Sequence, residues 1–115
     1  MSETRNLKIQ TSVLRRIVRE LDYYRAEVTQ QESKIDSMRQ TGSDDADINK
    51  QMEVLDESRQ MIPDTLHRLE SAWHNLNQCL DEFIDENPHF EGEEIDLARH
   101  QLKAAEDHLT PSSIV

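Results

Sequence analysis

Twenty-four carboxylates, five histidines and a single cysteine are the groups in this 115-residue chain that could titrate, ligate or attack. His67 and His74 stand seven apart, two helical turns along one face, and neither a His-Glu-x-x-His run nor a Cys/His ligand spacing occurs, so no metal site is expected. General acid catalysis needs a carboxyl set apart in apolar surroundings, and these acids are strewn along charged stretches where chance pairs abound. Gly42 and Gly92 are too widely separated to build a phosphate-cradling loop. Cys79 flanks an apolar helical seam, where a small half-buried thiol is the plain reading and a nucleophile the remote one. The final Ser113-Ile114-Val115 has the form of a PDZ ligand, a pattern short enough to recur by chance. No catalytic residue, cofactor or metal is expected, and hence no enzyme. What remains is recognition, and the elements that would present a recognising face.

Charged residues make up 32% of the chain and hydrophobic ones 35%, so apolar surface can be buried economically only along narrow seams between helices. Two glycines and three prolines disfavour an all-β fold with its many tight turns. Strong net charge with few aromatics leaves disorder as the competitor, and periodicity must decide. The formal charge of −11 argues against a nucleic-acid partner. It is unevenly spread: residues 1–40 hold eight Lys/Arg against six Asp/Glu, residues 41–84 three against ten, and residues 85–115 two against eight. The basic first segment could steer an acidic partner, the blander alternative being a solvated mixed surface. One cysteine excludes an intramolecular disulfide and suggests a reducing compartment. No apolar run follows the first residues and none approaches the ~18 of a membrane span, so a cytoplasmic protein without signal peptide or membrane partner is expected.

Apolar residues return every seventh position at Leu7, Leu14, Leu21, Val28 and Ile35, with Gln10, Ile17, Tyr24, Gln31 and Met38 three beyond each. No Pro or Gly interrupts them, which predicts a helix over residues 5–40. Thr41-Gly42-Ser43 breaks the pattern: Gly42 suits the left-handed position past a helix end, and Ser43 is read as the N-cap of the next helix. Asp44, Asp45 and Asp47 then fall in a first turn that favours negative charge. The second seam runs Ile48, Met52, Leu55, Arg59, Ile62, Leu66, Leu69, Trp73, Leu76, Leu80 and Phe83, predicting a helix over 44–84. Asp85-Glu86-Asn87-Pro88 ends it, and Ile95, Ala98, Leu102, Ala105 and Leu109 predict a third helix over 93–109. Across the three seams 23 of 26 positions are apolar, where composition alone would place roughly nine. Disorder is thereby set aside. The expected fold is all-α: a single domain over 1–115, an antiparallel three-helix bundle with two long helices and a shorter third in spectrin-like coiled-coil packing.

Unequal helix lengths place the third helix against the later half of the second and the first half of the first. Small residues beside the second seam, Ser58, Thr65, Ala72 and Cys79, would let it approach closely, and Val13 and Val18 widen the stripe it meets. Residues 25–60 are then expected as a two-helix coil with one uncovered flank, the first candidate for a partner surface. Pro63 removes the backbone bond to the Arg59 carbonyl and should kink the helix, at a cost of about 3 kcal/mol. Arg59 fills the one polar position of that seam. Either the kink is tolerated with Arg59 snorkelling out of the coil, or the two mark a weak point that a partner grips. Tyr23 lies off the seam beside Tyr24 and exposes an aromatic face, which suits a contact or an ordinary surface. Arg15, Arg16 and Arg19 cluster as a basic patch.

Two stretches resemble the tubulin-binding cofactor A family. Residues 6–27, Asn-Leu-Lys-Ile-Gln-Thr-Ser-Val-Leu-Arg-Arg-Ile-Val-Arg-Glu-Leu-Asp-Tyr-Tyr-Arg-Ala-Glu, are similar to its opening helix. Residues 50–72 are similar to its second, with the Val-Leu-Asp-Glu-Ser run and the Met-Ile-Pro-Asp segment in register. The resemblance covers about two-thirds of the chain. It implies a cytosolic three-helix bundle, cytoskeleton-associated, that captures β-tubulin after release from the chaperonin and passes it toward α/β heterodimer assembly with other tubulin-folding cofactors, without nucleotide. Under it the expected β-tubulin contacts are Tyr23, Tyr24, Arg59, Met61, Ile62 and Pro63, with Arg15, Arg16 and Arg19 meeting acidic surface. The chain departs from the family where a junction reading Asp-Pro-Tyr-Asp is usual: Asp45-Ala46 replaces the Pro-Tyr pair. Residues 85–115 match only in length and helical pattern. Two rivals stand beside this reading. One is a homo-oligomeric scaffold, or a homodimer through the uncovered flank; the other is an adaptor docking through residues 110–115.

Overall fold

The apolar seams become three helices in the structure, a computed structural model that describes residues 3–109: α1 (Glu3–Gln40), α2 (Asp45–Glu86) and α3 (Glu94–Glu106). The fold is all-α. Glu3 in the first turn of α1 and Arg39 in its last complement the helix dipole. The junction to α2 is a Schellman cap: Gly42 takes φ +75, its N–H donates to the Arg39 carbonyl at 3.3 Å, and the Ser43 N–H donates to the Met38 carbonyl at 2.9 Å. Ser43 thus closes α1 through its backbone, and because α2 begins at Asp45 it is not the N-cap of α2. That place falls to Asp44, whose carbonyl accepts the N–H groups of Asp47 and Ile48, both at 3.1 Å, and α2 starts one residue later than its acidic run suggested.

By its contacts the chain divides into two compact units, residues 1–19 with 66–115, and residues 20–65. The first is a three-helix bundle. Leu7, Leu14 and Ile17 of α1, Leu69, Ala72, Trp73, Leu76, Leu80 and Phe83 of α2, and Ala98, Leu102 and Ala105 of α3 are buried in it. Ala98 and Ala105 are the small buried residues of the α3 stripe, and the indole N–H of buried Trp73 donates to the Leu102 carbonyl at 3.1 Å. The Asn6 amide reaches the Cys79 sulfur at 3.4 Å, and the Asn87 amide reaches Glu3 at 2.9 Å, so α1 and α2 run antiparallel here. α2 continues two residues past its expected end because Asn87, not Asp85, is the residue that Pro88 forces out of helical conformation. Phe90, in the α2–α3 connection, stacks edge-on against Phe83 at 4.9 Å. Gly92 sits so close to the Phe90 ring and the Glu94 carboxylate that a Cβ would collide with both. α3 is shorter than its seam, giving way after Glu106 to turns in which His108 and Leu109 donate to carbonyls three residues back.

The second unit is a two-helix antiparallel hairpin built from the later part of α1 and the earlier part of α2. Its buried cluster is Ile35, Ile48 and Leu55, with Val28 and Met38 packed partly against it. Two helices cannot enclose a seam, so Met52, expected inside it, is 39% exposed, and Tyr24 and Ile62 are half-buried. Gln31, a polar seam residue, is accommodated by donating to the Gln51 carbonyl at 3.0 Å and to its side-chain oxygen at 2.8 Å. α2 runs through Pro63 without interruption. Pro63 is exposed, so the bond missing at the Arg59 carbonyl falls where water can replace it.

Candidate functional site

The residues singled out for contact all lie on α1 and α2. Arg15, Arg16 and Arg19 are exposed on α1 in the three-helix unit. Tyr23, Tyr24, Arg59, Met61, Ile62 and Pro63 belong to the hairpin. Tyr23 is 59% exposed, and its hydroxyl donates to Glu27 at 2.8 Å; that bond, followed by the Glu27 charge, pushes the phenol above its ordinary value. Its ring meets Tyr24 edge-on at 5.6 Å, so the two tyrosines form one aromatic step with a hydrogen-bonded rim. Arg59 leaves the seam, as a cation in a two-helix coil must, and pairs with Glu32 across the hairpin at 3.2 Å and with Asp56 at 4.0 Å. It walls a groove with Glu32, Ile35, Asp36, Arg39, Met52 and Leu55. Met61 is 37% exposed, and its carbonyl accepts the hydroxyl of buried Thr65 at 2.7 Å. That second acceptor role at Met61, two residues before the missing Pro63 donor, adds to the irregular hydrogen bonding of α2 at the segment named for contact.

Residues with no place in the sequence argument also face outward. Val54 is 42% exposed, Ile9 48% and Leu97 50%. Each is an apolar residue off the heptad positions, and that offset is the signal that could have marked them.

Among the described residues no group of three or more His, Cys, Asp or Glu could hold a metal ion, and His67 and His74 are exposed. His74 stacks edge-on against Trp73 at 5.1 Å. Burial, and then the Glu82 charge, push the Cys79 thiol up, which keeps it protonated and weakly nucleophilic near neutral pH. Among the described residues no helix is long and apolar enough to cross a membrane. The residues of the PDZ-like tail lie outside the described part of the chain. What the fold presents is a set of helical faces with aromatic, apolar and basic groups on view.

Comparison with known proteins decides what such faces belong to. The model of the family described as tubulin binding cofactor A matches residues 2–102. This chain belongs to the tubulin binding cofactor A family. A relative from Arabidopsis thaliana named tubulin-folding cofactor A is 43% identical over 106 residues, covering 92% of this chain and 93% of its own. The crystal structure of tubulin folding cofactor A from Arabidopsis thaliana superposes with a TM-score of 0.84 at 43% identity, over 93% of this chain and 98% of its own. A structure described as a β-tubulin binding post-chaperonin cofactor gives a TM-score of 0.76 at 26% identity, over 90% and 97%. The family match reaches residue 102 and so takes in most of α3, which the sequence resemblance had left outside. α3 carries little besides Ala, Leu and charge, and such a short helix has no distinctive run to recognise.

Proposed function

We propose that this chain is a tubulin-folding chaperone that captures β-tubulin folding intermediates released from the cytosolic chaperonin and holds them for α/β heterodimer assembly. The observation that carries the reading is family membership, established over residues 2–102. The relative with a TM-score of 0.76 is itself described as β-tubulin binding and post-chaperonin, which supports the narrower partner and stage. Physical chemistry supports the mode of action. A subunit awaiting its partner exposes apolar surface that aggregates, and preformed helical faces can cover such surface without a large ordering cost. The action is shielding and transfer with no bond made or broken, so neither cofactor nor nucleotide is required. It places the protein in the cytoplasm near the cytoskeleton and beside other tubulin-folding cofactors.

In this reading Tyr23, Tyr24, Arg59, Met61, Ile62 and Pro63 supply contacts from the hairpin, and Arg15, Arg16 and Arg19 draw in acidic surface. The test is release of newly folded β-tubulin from purified chaperonin into a solution of this protein, followed by native gel filtration. α-Tubulin and a helical bundle of similar charge serve as controls. A discrete co-eluting species with β-tubulin alone is the expected result. No complex, with the protein helical by circular dichroism, would overturn the proposal and bring the homo-oligomeric scaffold forward.

A further inference from the structure

Residues 5–19 contain five cations, Arg5, Lys8, Arg15, Arg16 and Arg19, and no acid, whereas the rest of the chain holds eight Lys/Arg against twenty-four Asp/Glu. At ~100° per residue all five cations fall within an arc of about 100° on α1, turned away from buried Leu7 and Leu14. Beside this arc α1 and α3 enclose a groove of ≈ 230 Å³, with Lys8 and Arg15 on one wall and Glu94, Leu97 and Gln101 on the other. The one acid lining it, Glu94, is paired with Lys8 at 3.5 Å. Arg15 and Arg19 have no ion pair or hydrogen bond among the described residues. On the other side of Lys8 a hollow of ≈ 320 Å³ holds Ile9 between Arg5 and Arg16. The two most exposed large aliphatic side chains of the described residues, Ile9 and Leu97, thus each line a hollow walled in part by these cations.

We infer that this α1/α3 face docks an acidic amphipathic peptide segment of a partner protein, its carboxylates on Arg15 and Arg19 and its apolar side chains on Leu97 and Ile9. Charge complementarity selects the sign of the ligand: a patch of five cations in a chain of net charge −11 attracts a short anion locally, while the surrounding acids repel an extended polyanion such as duplex DNA or an anionic membrane. The exposed leucine and isoleucine select a peptide, because a phosphate backbone offers nothing apolar to cover them. Fifteen helical residues span ~22 Å, which suits a segment of a few helical turns. The inference rests on the protein acting as a binder of other proteins, as proposed above, and does not require that the partner be tubulin.

The experiment titrates the full chain into a labelled synthetic peptide that carries Glu on one helical face and Leu at spacings of three and four on the other. One control replaces Glu by Gln, a second replaces Leu by Ser. The Glu/Leu peptide is expected to bind about tenfold more tightly than either control, and to weaken as salt rises. Arg15→Glu with Arg19→Glu, and separately Leu97→Ser, are expected to reduce affinity about tenfold, while Lys50→Glu on the hairpin leaves it unchanged. Equal binding of the Gln peptide, indifference to the charge reversal, or tighter binding of duplex DNA or anionic vesicles would overturn the inference. So would a concentration-dependent dimer abolished by the same reversal, which would give the face to a second copy of the chain. β-Tubulin capture, run alongside, keeps the two proposals apart. Peptide binding without capture overturns the tubulin reading and leaves the groove; capture without peptide binding does the reverse.

Discussion

At the scale of single residues, the most instructive group is the one at the junction of α1's first turn with α2's last. α2 ends on Asp85 and Glu86 with no base in its last turn, against its own dipole. Glu86 bears part of that cost: hydrogen bonding to Glu3, then repulsion by it, holds the Glu86 carboxyl above its ordinary 4.5. Glu3 is held below 4.5 by the Asn87 amide first and Glu86 second. The signs oppose. A raised carboxyl contributes stability below its ordinary value and loses it as pH rises through the raised one, and once the proton between Glu86 and Glu3 is gone repulsion remains. Glu3's depressed value contributes stability above 4.5, lost only when pH falls through that lower value. Glu86→Gln supplies a permanent donor to Glu3, so its melting temperature should exceed the parent's at pH 7, with the gap closing as pH falls toward 4.5. A gap that is independent of pH would show that the two carboxyls do not share a proton.

At the scale of elements, α2 is the long helix with a flaw. Pro63 costs a backbone bond and crowds the Arg59 carbonyl, yet α2 passes through it. Pro63→Ala should stabilise the protein by about 2 kcal/mol in a denaturant titration, the ~3 kcal/mol helix penalty being partly offset by the unfolded-state entropy that alanine restores. If the irregular segment around Met61 and Pro63 is what β-tubulin grips, the same change weakens capture. Stabilisation with unchanged capture would make Pro63 a tolerated irregularity and nothing more. The helix boundaries carry a related lesson. Gly42 was legible because a left-handed residue after a heptad run has few alternatives, but Ser43 is as good a C-terminal partner for α1 as an N-cap for α2. Only the start of α2 at Asp45, with Asp44 accepting its first bonds, chooses between them.

At the scale of the whole molecule, burial is uneven. Among the described residues twelve apolar side chains are buried in the three-helix unit, whereas four, Leu21, Ile35, Ile48 and Leu55, are buried in the hairpin. Local opening free energy follows buried apolar contact. Hydrogen exchange should therefore be slowest for amides of α2 between Leu69 and Phe83 and faster between Ile48 and Leu55, although both stretches lie in one continuous helix. Equal protection would refute the division. We propose that the chain is nevertheless one domain and unfolds in a single calorimetric transition, since α1 and α2 each contribute residues to both units.

The sequence by itself determined the three helices, their order, their approximate ends and the family, because heptad recurrence, a lone glycine and a proline act within a few residues along the chain at ~100° per step. Distinctive runs such as residues 50–72 also carry family identity without any fold. Exposure is another matter. Met52 and Leu55 are equally good seam residues, yet Met52 is exposed and Leu55 buried. Whether a third helix covers a given face, which surface Phe90 closes, and which cations line a groove with an exposed leucine all depend on residues distant in sequence. Packing between elements decides them, so only the tertiary structure could bring Lys8 beside Glu94 or Trp73 beneath Leu102.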